Sequence, residues 1–294
     1  MKMLSEYCLE KFGEKLYRLS LNGGMTCPNR DGTCGTRGCI FCGEGGSGDF
    51  AEAANLPVGE QIDRARARVG GKFRGNGYIA YFQAYTNTYA PVDYLERLFG
   101  EAIERPEVRV LSIATRPDCL GADVLSLLKR LNEQKPVWVE LGLQTIHERT
   151  ARYIRRGYPQ STFDRAVRDL RAIGVEVIVH VILGLPGESE DEMLETVRYV
   201  GRSGAQGIKL QMLNVLEGTD LAEEYRRGRF SLMSREEYVR LIGRCARMLP
   251  EDMVAHRLTG DGPKNRLIAP MWAADKKRTL GEIQRELRRP AQEQ

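Results

Sequence analysis

Histidine is scarce in this chain, with three in 294 residues. None stands in an HExxH or Ser-His-Asp arrangement, so the common zinc-protease and triad-hydrolase signatures are missing. Long apolar runs are missing too: none approaches the roughly 20 residues that span a bilayer. The start, Met1 to Tyr7, has no apolar stretch of signal-peptide length, so no signal peptide is expected. No low-complexity linker divides the chain. Net charge is only +4, which permits a nucleic-acid partner without requiring one. What is present is 42% hydrophobic content, enough to bury a large core as one α/β barrel or two smaller domains. Seven cysteines, an odd number and partly clustered, suit a reducing compartment better than a disulfide framework. A cytoplasmic protein without membrane attachment is the expectation.

The cluster is the most informative feature. Cys39-Ile40-Phe41-Cys42 is a CxxC with an aromatic before its second cysteine, and Cys27 lies a short way upstream. Thiolates this dense need a soft metal, either zinc or an iron–sulfur cluster. If three thiolates hold a four-iron cluster, one iron keeps a free position, which is a sign of chemistry rather than of structure. Cys34 leaves alternatives open. With it the segment holds four cysteines, the set of a closed zinc knuckle, and Cys34, Cys39 and Cys42 also show the C-x4-C-x2-C spacing of a plant-type ferredoxin. Cys8, Cys119 and Cys245 stand singly and read as small apolar residues of the interior.

Short β-branched runs recur, each followed by a charged, helix-like stretch: Leu16 to Leu21, Tyr78 to Phe82, Val108 to Ile113, Val137 to Leu141, Val175 to Ile182 and Gly207 to Met212. Most start about 30 to 40 residues apart, the length of one strand–helix unit. Six such units predict parallel strands with helical crossovers, a doubly wound sheet or a barrel. Gln83, Thr115, Gln144, Pro186-Gly187-Glu188 and Asn214 all fall at or beyond the carboxyl ends of strands. In a barrel those ends form one mouth, which favours an open six-stranded barrel with the cysteine loop at that mouth. His256 to Pro263 reads as a polar loop, followed by an apolar stretch and a basic helix. The expected organisation is a catalytic core over residues 1–250 with an extension, 251–294, packed on it.

Several motifs carry candidate chemistry. Val181 to Glu188 ends a buried strand in a glycine-rich turn, where backbone can approach a flat ligand; Ser189 or Glu190 is placed to cap the helix that follows. Period-two alternation puts Glu140, Gly142 and Gln144 on one side of a strand, and a buried Glu and Gln there need partners. Arg156 can return from the next helix to meet a carboxylate. Of the histidines, His180 reads as a satisfied core residue and His147 as the start of a surface helix. His256, with Arg257 and Asp261 beside it, has the best claim on a substrate. Basic residues gather in four runs: Arg64 to Arg74, Arg149 to Arg156, Arg226 to Arg229 and Lys276 to Arg289. Each is explained by a solvated helix face paired with glutamates; together they keep a phosphate-bearing partner open.

A cysteine loop after the first strand, Gln144 at the end of the fourth and the Gly184–Glu188 turn after the fifth together resemble the radical S-adenosylmethionine (SAM) superfamily. Cys27-Pro28-Asn29-Arg30-Asp31-Gly32-Thr33, Tyr81 to Pro91 and His256 to Pro263 resemble its bacterial YhcC/YtqA-like branch nearly end to end. Ala114 to Asp118, Val139 to Gln144, Arg156-Gly157-Tyr158 and Gly218 to Leu221 are similar to the radical SAM core of the Elongator catalytic subunit. That enzyme's acetyltransferase domain has no counterpart here. The resemblance implies a partial TIM-type (β/α)6 barrel and a [4Fe-4S] cluster on Cys27, Cys39 and Cys42, with Cys34 outside the ligand set. It implies reductive cleavage of SAM to a 5′-deoxyadenosyl radical, fed by a flavodoxin- or ferredoxin-type reductant. By the same analogy Phe41 would lie near the adenine and Gln83 near the methionyl end of SAM. Gln144 would bind the ribose and Arg156 the carboxylate; apart from the analogy, a ribose or amino group would also meet the need of a buried Glu140 for a partner. Gly184, Pro186 and Glu188 would line the adenine pocket. The implied substrate is the C5 side chain of a tRNA wobble uridine. A small-molecule radical enzyme and a non-catalytic zinc or iron–sulfur RNA-binding protein are the alternatives.

Overall fold

The computed structural model describes residues 1–71, 73, 75–260 and 262–289. The six expected strands are all present: β2 (Tyr17–Leu21), β3 (Tyr78–Phe82), β4 (Val108–Thr115), β5 (Val137–Gln144), β6 (Glu176–Leu183) and β7 (Gly207–Met212). Two more complete the sheet, β1 (Lys2–Met3) and β9 (Val254–Arg257), in the order β1-β9-β7-β6-β5-β4-β3-β2. Every pairing in it is parallel. The strand β9 corrects the sequence reading, which treats His256 and Arg257 as loop. Their polarity reflects the polar interior that this strand faces, so the hydrophobic signal of a strand is absent.

Helical crossovers connect the strands: α2 (Val58–Val69), α3 (Val92–Glu104), α4 (Ala122–Gln134), α5 (Glu148–Tyr153), α6 (Gln160–Ala172), α7 (Glu190–Arg202) and α9 (Arg235–Met248). Their apolar stripes recur at helical spacing, as in Leu95, Phe99, Ala102 and Ile103 of α3, or Met193, Leu194, Val197 and Val200 of α7. They cover the outer sheet face, where alternation places Val137, Val139, Leu141 and Leu143 of β5. The same alternation turns Trp138, Glu140, Gly142 and Gln144 inward.

The inner face is a second layer, with Ile79, Tyr81, Val110, Ala114, Trp138 and Ile178 in one cluster. Helix α1 (Leu4–Phe12) closes the amino-terminal end of this interior. Its Cys8 packs into the cluster, its Tyr7 ring lies 6.1 Å from Trp138, and the Tyr7 hydroxyl donates to Glu176 at 2.8 Å. With that end plugged, the interior opens at the carboxyl ends of the strands. There a two-stranded antiparallel sheet of β8 (Val215–Leu216) and β10 (Leu267–Ala269) and the helix α8 (Asp220–Arg226) flank the mouth, while α10 (Lys276–Leu287) packs against α9. Ser189 caps α7 through a reciprocal bond with Glu192, as expected of that residue.

Candidate active site

A single cavity occupies the mouth and reaches into the interior. Water centres have about 250 Å³ to occupy there, many times the roughly 10–15 Å³ that one water needs, so it is ligand-sized rather than a packing void. Cys27, Cys39 and Cys42 line one side; Gln83, Thr115, Gln144 and Asn214, each at a strand's carboxyl end, line the others.

The cysteine loop lacks helix and strand, so side chains hold it. Asn29, only 4% exposed, donates from Nδ2 to the carbonyl of Arg155 at 2.7 Å and to the Cys39 sulfur at 3.5 Å. The Arg30 guanidinium donates to the carbonyls of Cys42 and Gly43 at 2.9 and 2.7 Å. Main-chain bonds from Ile40 to Ile154, and from Leu221 to Ile40, tie the CxxC to α5 and α8. Phe41 packs on an apolar cluster that includes Ile40, Ile182 and Leu213, and also lines the cavity. Burial, then the neighbouring Cys42, pushes the free Cys39 thiol up to about 12, so a metal must displace its proton. Cys34 is exposed and lines a separate groove with Cys119, which leaves three thiols facing the cavity and no fourth to close a zinc knuckle. Among the described residues no three His, Cys, Asp or Glu side chains are placed to hold a single ion. Three thiols open on one side to a ligand-sized space are the donor set of a four-iron cluster with a free position.

Opposite the thiols stands Gln144. Its φ is +67°, a left-handed conformation uncommon outside glycine, and its side-chain oxygen is buried without a donor. Strain plus an orphaned polar atom at a cavity wall is the pattern of a residue kept for binding. Tyr158 lies beneath, its hydroxyl on the carbonyl of Gly142, with the Arg116 and Arg156 guanidinium carbons each 5.0 Å from its ring centre. Arg156 is 2% exposed and spends its donors on the carbonyls of Thr145, at 2.6 Å, and Tyr158, at 3.0 Å, and on Glu148, at 2.9 Å. It lines the cavity while holding the β5–α5 connection in shape. Gln83 donates to the Ser47 carbonyl at 2.7 Å and so fastens the end of the cysteine loop.

Glu140, wholly buried, forms part of the cavity floor. It accepts from Ser112 at 2.9 Å, His180 at 2.6 Å and the ammonium of Lys209. Burial alone would raise its pKa; Lys209, Arg18 and His180 hold the carboxyl well below the ordinary range. His180 is the satisfied interior histidine expected. His256 is different: it is buried on β9, bonded to Arg18 at 2.9 Å, stacked edge-on against Trp138 and absent from the cavity wall. Arg257 does line the cavity, and Asp261 lies outside the described residues. Gly184, Pro186 and Glu188 are also absent from the wall, and Glu188 accepts from Thr145 at 2.5 Å instead. Ile182, two residues before the turn, takes that place. Sequence reasoning assigned no role to Asn29, Arg30, Arg116, Tyr158 or Lys209. For Lys209 the signal was available, since Lys209 and Gln211 alternate inward on β7 as Glu140 and Gly142 do on β5.

Residues 31–200, more than half of the chain, match the Radical SAM superfamily, and residues 205–289 match its Radical_SAM C-terminal domain. The chain belongs to the radical SAM superfamily. It is therefore an enzyme, with the superfamily's cofactors, a [4Fe-4S] cluster and SAM. Among relatives of this radical SAM enzyme, YtqA of Bacillus subtilis (strain 168), itself uncharacterized, is 43% identical over 284 residues, 97% of this chain and 88% of the relative. Protein YhcC of Escherichia coli (strain K12) is 36% identical over 94% of this chain and 89% of its own. A tRNA uridine(34) acetyltransferase of Methanocaldococcus jannaschii is 27% identical over 176 residues, 59% of this chain and 31% of that protein. The solved structure of Methanocaldococcus infernus Elp3, with its N-terminus deleted, superimposes with a TM-score of 0.68 at 17% identity. That match covers 92% of this chain and 63% of the other, and it shows the shared fold. No helix among the described residues is long and apolar enough to cross a membrane.

Proposed function

We propose that this enzyme modifies the C5 side chain of a tRNA wobble uridine. Cys27, Cys39 and Cys42 would hold the cluster, and the space between them and Gln144 would hold SAM. When bound, these cofactors supply a 5′-deoxyadenosyl radical that can take hydrogen from an unactivated carbon. The chain's own part is positional. Asn29 and Arg30 brace the thiol loop, Gln144 presents an unsatisfied oxygen to a bound donor, and Phe41 and Ile182 give an apolar wall. The plugged interior keeps water from the far end. The observation that carries the reading is the set of three thiols facing a cavity across which Gln144 stands strained and unsatisfied.

Two features support tRNA. One is the likeness to a relative named for uridine 34 of tRNA. The other is where the basic runs sit. Arg149, Arg152 and Arg155 follow β5, and Arg226, Arg227 and Arg229 follow β8, so both runs rim the mouth; Arg37 extends from the cysteine loop with 74% of its side chain exposed. Many of these arginines pair with carboxylates, as Arg155 does with Asp220 and Arg226 with Glu217, which fits the solvated-face reading and a small-molecule substrate equally. The decisive experiment is anaerobic. The reconstituted, reduced enzyme is given SAM with and without tRNA purified from cells that lack this enzyme, so that the unprocessed C5 side chain is present, and both 5′-deoxyadenosine and the wobble nucleoside are analysed by mass spectrometry. 5′-Deoxyadenosine lost in Cys39→Ala and retained in Cys34→Ala establishes the ligand set. A nucleoside of unchanged mass, in the presence of that cleavage, refutes the tRNA reading. A flavodoxin- or ferredoxin-type protein is the proposed electron donor.

A further inference from the structure

His180 of β6 and Gln211 of β7 both line the cavity, and in each the polar side chain is held at one end and free at the other. The two strands pair His180 with Lys209 and Ile182 with Gln211, so Gln211 stands beside His180, one inward-facing position nearer the mouth. His180 is satisfied on one nitrogen only. Its Nε2 lies 2.6 Å from Glu140, and an ionised carboxylate accepts without donating, so Nε2 carries the proton. Burial, then Lys209, pushes His180 down to about 4; the ring is neutral near pH 7 and Nδ1 keeps a lone pair. Burial and Arg18 hold Lys209 itself low, yet its nitrogen donates to Glu140 in either protonation state and the imidazole tautomer is unchanged. The ring is 17% exposed, and Nδ1 meets no donor among the described residues. Gln211 is fixed from its other side. Arg257 Nη1, which can only donate, lies 3.4 Å from Oε1, so Nε2 is the free end of that amide, with no acceptor among the described residues.

A fixed acceptor beside a fixed donor, both open to a ligand-sized space, fits a planar group that offers the reverse, an N–H next to a C=O. We propose that this wall reads the Watson–Crick edge of a uracil ring, whose N3–H donates to His180 Nδ1 while a neighbouring carbonyl accepts from Gln211 Nε2. A base taken out of its stack is commonly read on that edge. Cytosine is refused because its unprotonated N3 sets a second lone pair against Nδ1, and an acceptor buried without a donor is costly. Guanine repeats the N–H and C=O in a larger, two-ring frame. The inference rests on the wobble-uridine reading and deepens it by assigning the residues that select the base. Held along this edge, the ring turns its C5–C6 side to the open cavity, so the side chain on C5 is the part left free to react.

The test needs neither turnover nor tRNA. Reconstituted, unreduced enzyme with SAM is treated anaerobically with diethyl pyrocarbonate, which acylates accessible neutral imidazoles, and peptide mass spectrometry reads the three histidines separately. His180 should be acylated in the absence of nucleoside, and buried His256 spared. Uridine should protect His180 at a concentration about tenfold or more below that needed of cytidine or of 3-methyluridine, which lacks the N3 donor. Gln211→Met should leave His180 reactive and weaken protection by uridine about tenfold. A His180 that resists acylation, cytidine or 3-methyluridine as protective as uridine, guanosine more protective than uridine, or no loss in Gln211→Met would overturn the site. Because only nucleosides are used, the two readings fail separately. Uridine preference in an enzyme that leaves tRNA unmodified keeps the site and removes the tRNA substrate, and tRNA turnover without that preference does the reverse.

Discussion

Replacing Lys209 by methionine removes one charge from the most deeply buried ion pair among the described residues while nearly preserving side-chain volume. Lys209 is 1% exposed and Glu140 0%, so neither can turn to water when its partner goes. Breaking a buried pair from one side costs about 3–5 kcal/mol, because the remaining charge is stranded. Here the stranded carboxylate keeps Ser112 at 2.9 Å, His180 at 2.6 Å and Arg18 at 3.7 Å, which places the expected loss near the lower end, about 3 kcal/mol. The double variant Glu140→Gln/Lys209→Met removes both members of the pair and leaves only the part-exposed Arg18 without its carboxylate, so it should lose about 2 kcal/mol less than the sum of the two single variants. Urea unfolding of the four proteins at pH 7 measures this. The pH dependence has a definite sign. Glu140 is held below the ordinary carboxylate range when folded, so its contribution is present above the unfolded value and is lost as pH falls through the folded one. The deficit of Lys209→Met should therefore narrow in strong acid. A single-variant loss under about 1 kcal/mol, or a double variant as unstable as the sum of the singles, would refute the pairing argument.

Other outcomes follow from the same geometry. Gln144→Gly relieves a left-handed backbone and should stabilise the fold by about 1 kcal/mol in urea, yet weaken SAM in equilibrium binding. Greater stability with unchanged SAM affinity would show that the strain serves no ligand. Gly157→Ala sets a methyl 2.6 Å from Asn29 Oδ1 at a φ of +83°, so it should destabilise by more than about 1 kcal/mol. It should also lower the iron retained after reconstitution, because Asn29 braces the Cys39 loop. His180 takes up a proton less readily folded, at about 4, than unfolded, at 6.5. Stability should then fall as pH drops from about 6.5 to about 4, by about 2 to 3 kcal/mol, and His180→Gln should flatten that stretch of a stability–pH curve.

The barrel strands were legible because each carries its own periodic signal. Residues Tyr78–Phe82, Gly207–Met212 and the others alternate or run apolar between charged helices, and burial against those helices requires that pattern. The cysteine loop and the residues at the strand ends were legible for a related reason: parallel strands put all their carboxyl ends on one side, so position along the strand fixes position at the mouth. That rule failed at the Gly184–Glu188 turn, because where a turn lies depends on what it packs against, here Thr145 and the capped start of α7.

The sequence by itself determined the cysteine cluster and six recurring strand–helix units, which rest on local spacing and short-range periodicity, and its motifs carried the resemblance to the family; the choice of Cys27, Cys39 and Cys42 over Cys34 came with that resemblance. Only the tertiary structure decided what those residues meet. His256 is a buried strand residue on Arg18 rather than a loop residue, Cys34 faces a different groove from Cys27, and Lys209 and Glu140, 69 residues apart, share one charge pair beneath the cavity. Such meetings depend on how the sheet curls and which strands become neighbours, and a carboxylate's partners across a barrel leave no trace in the spacing along either strand.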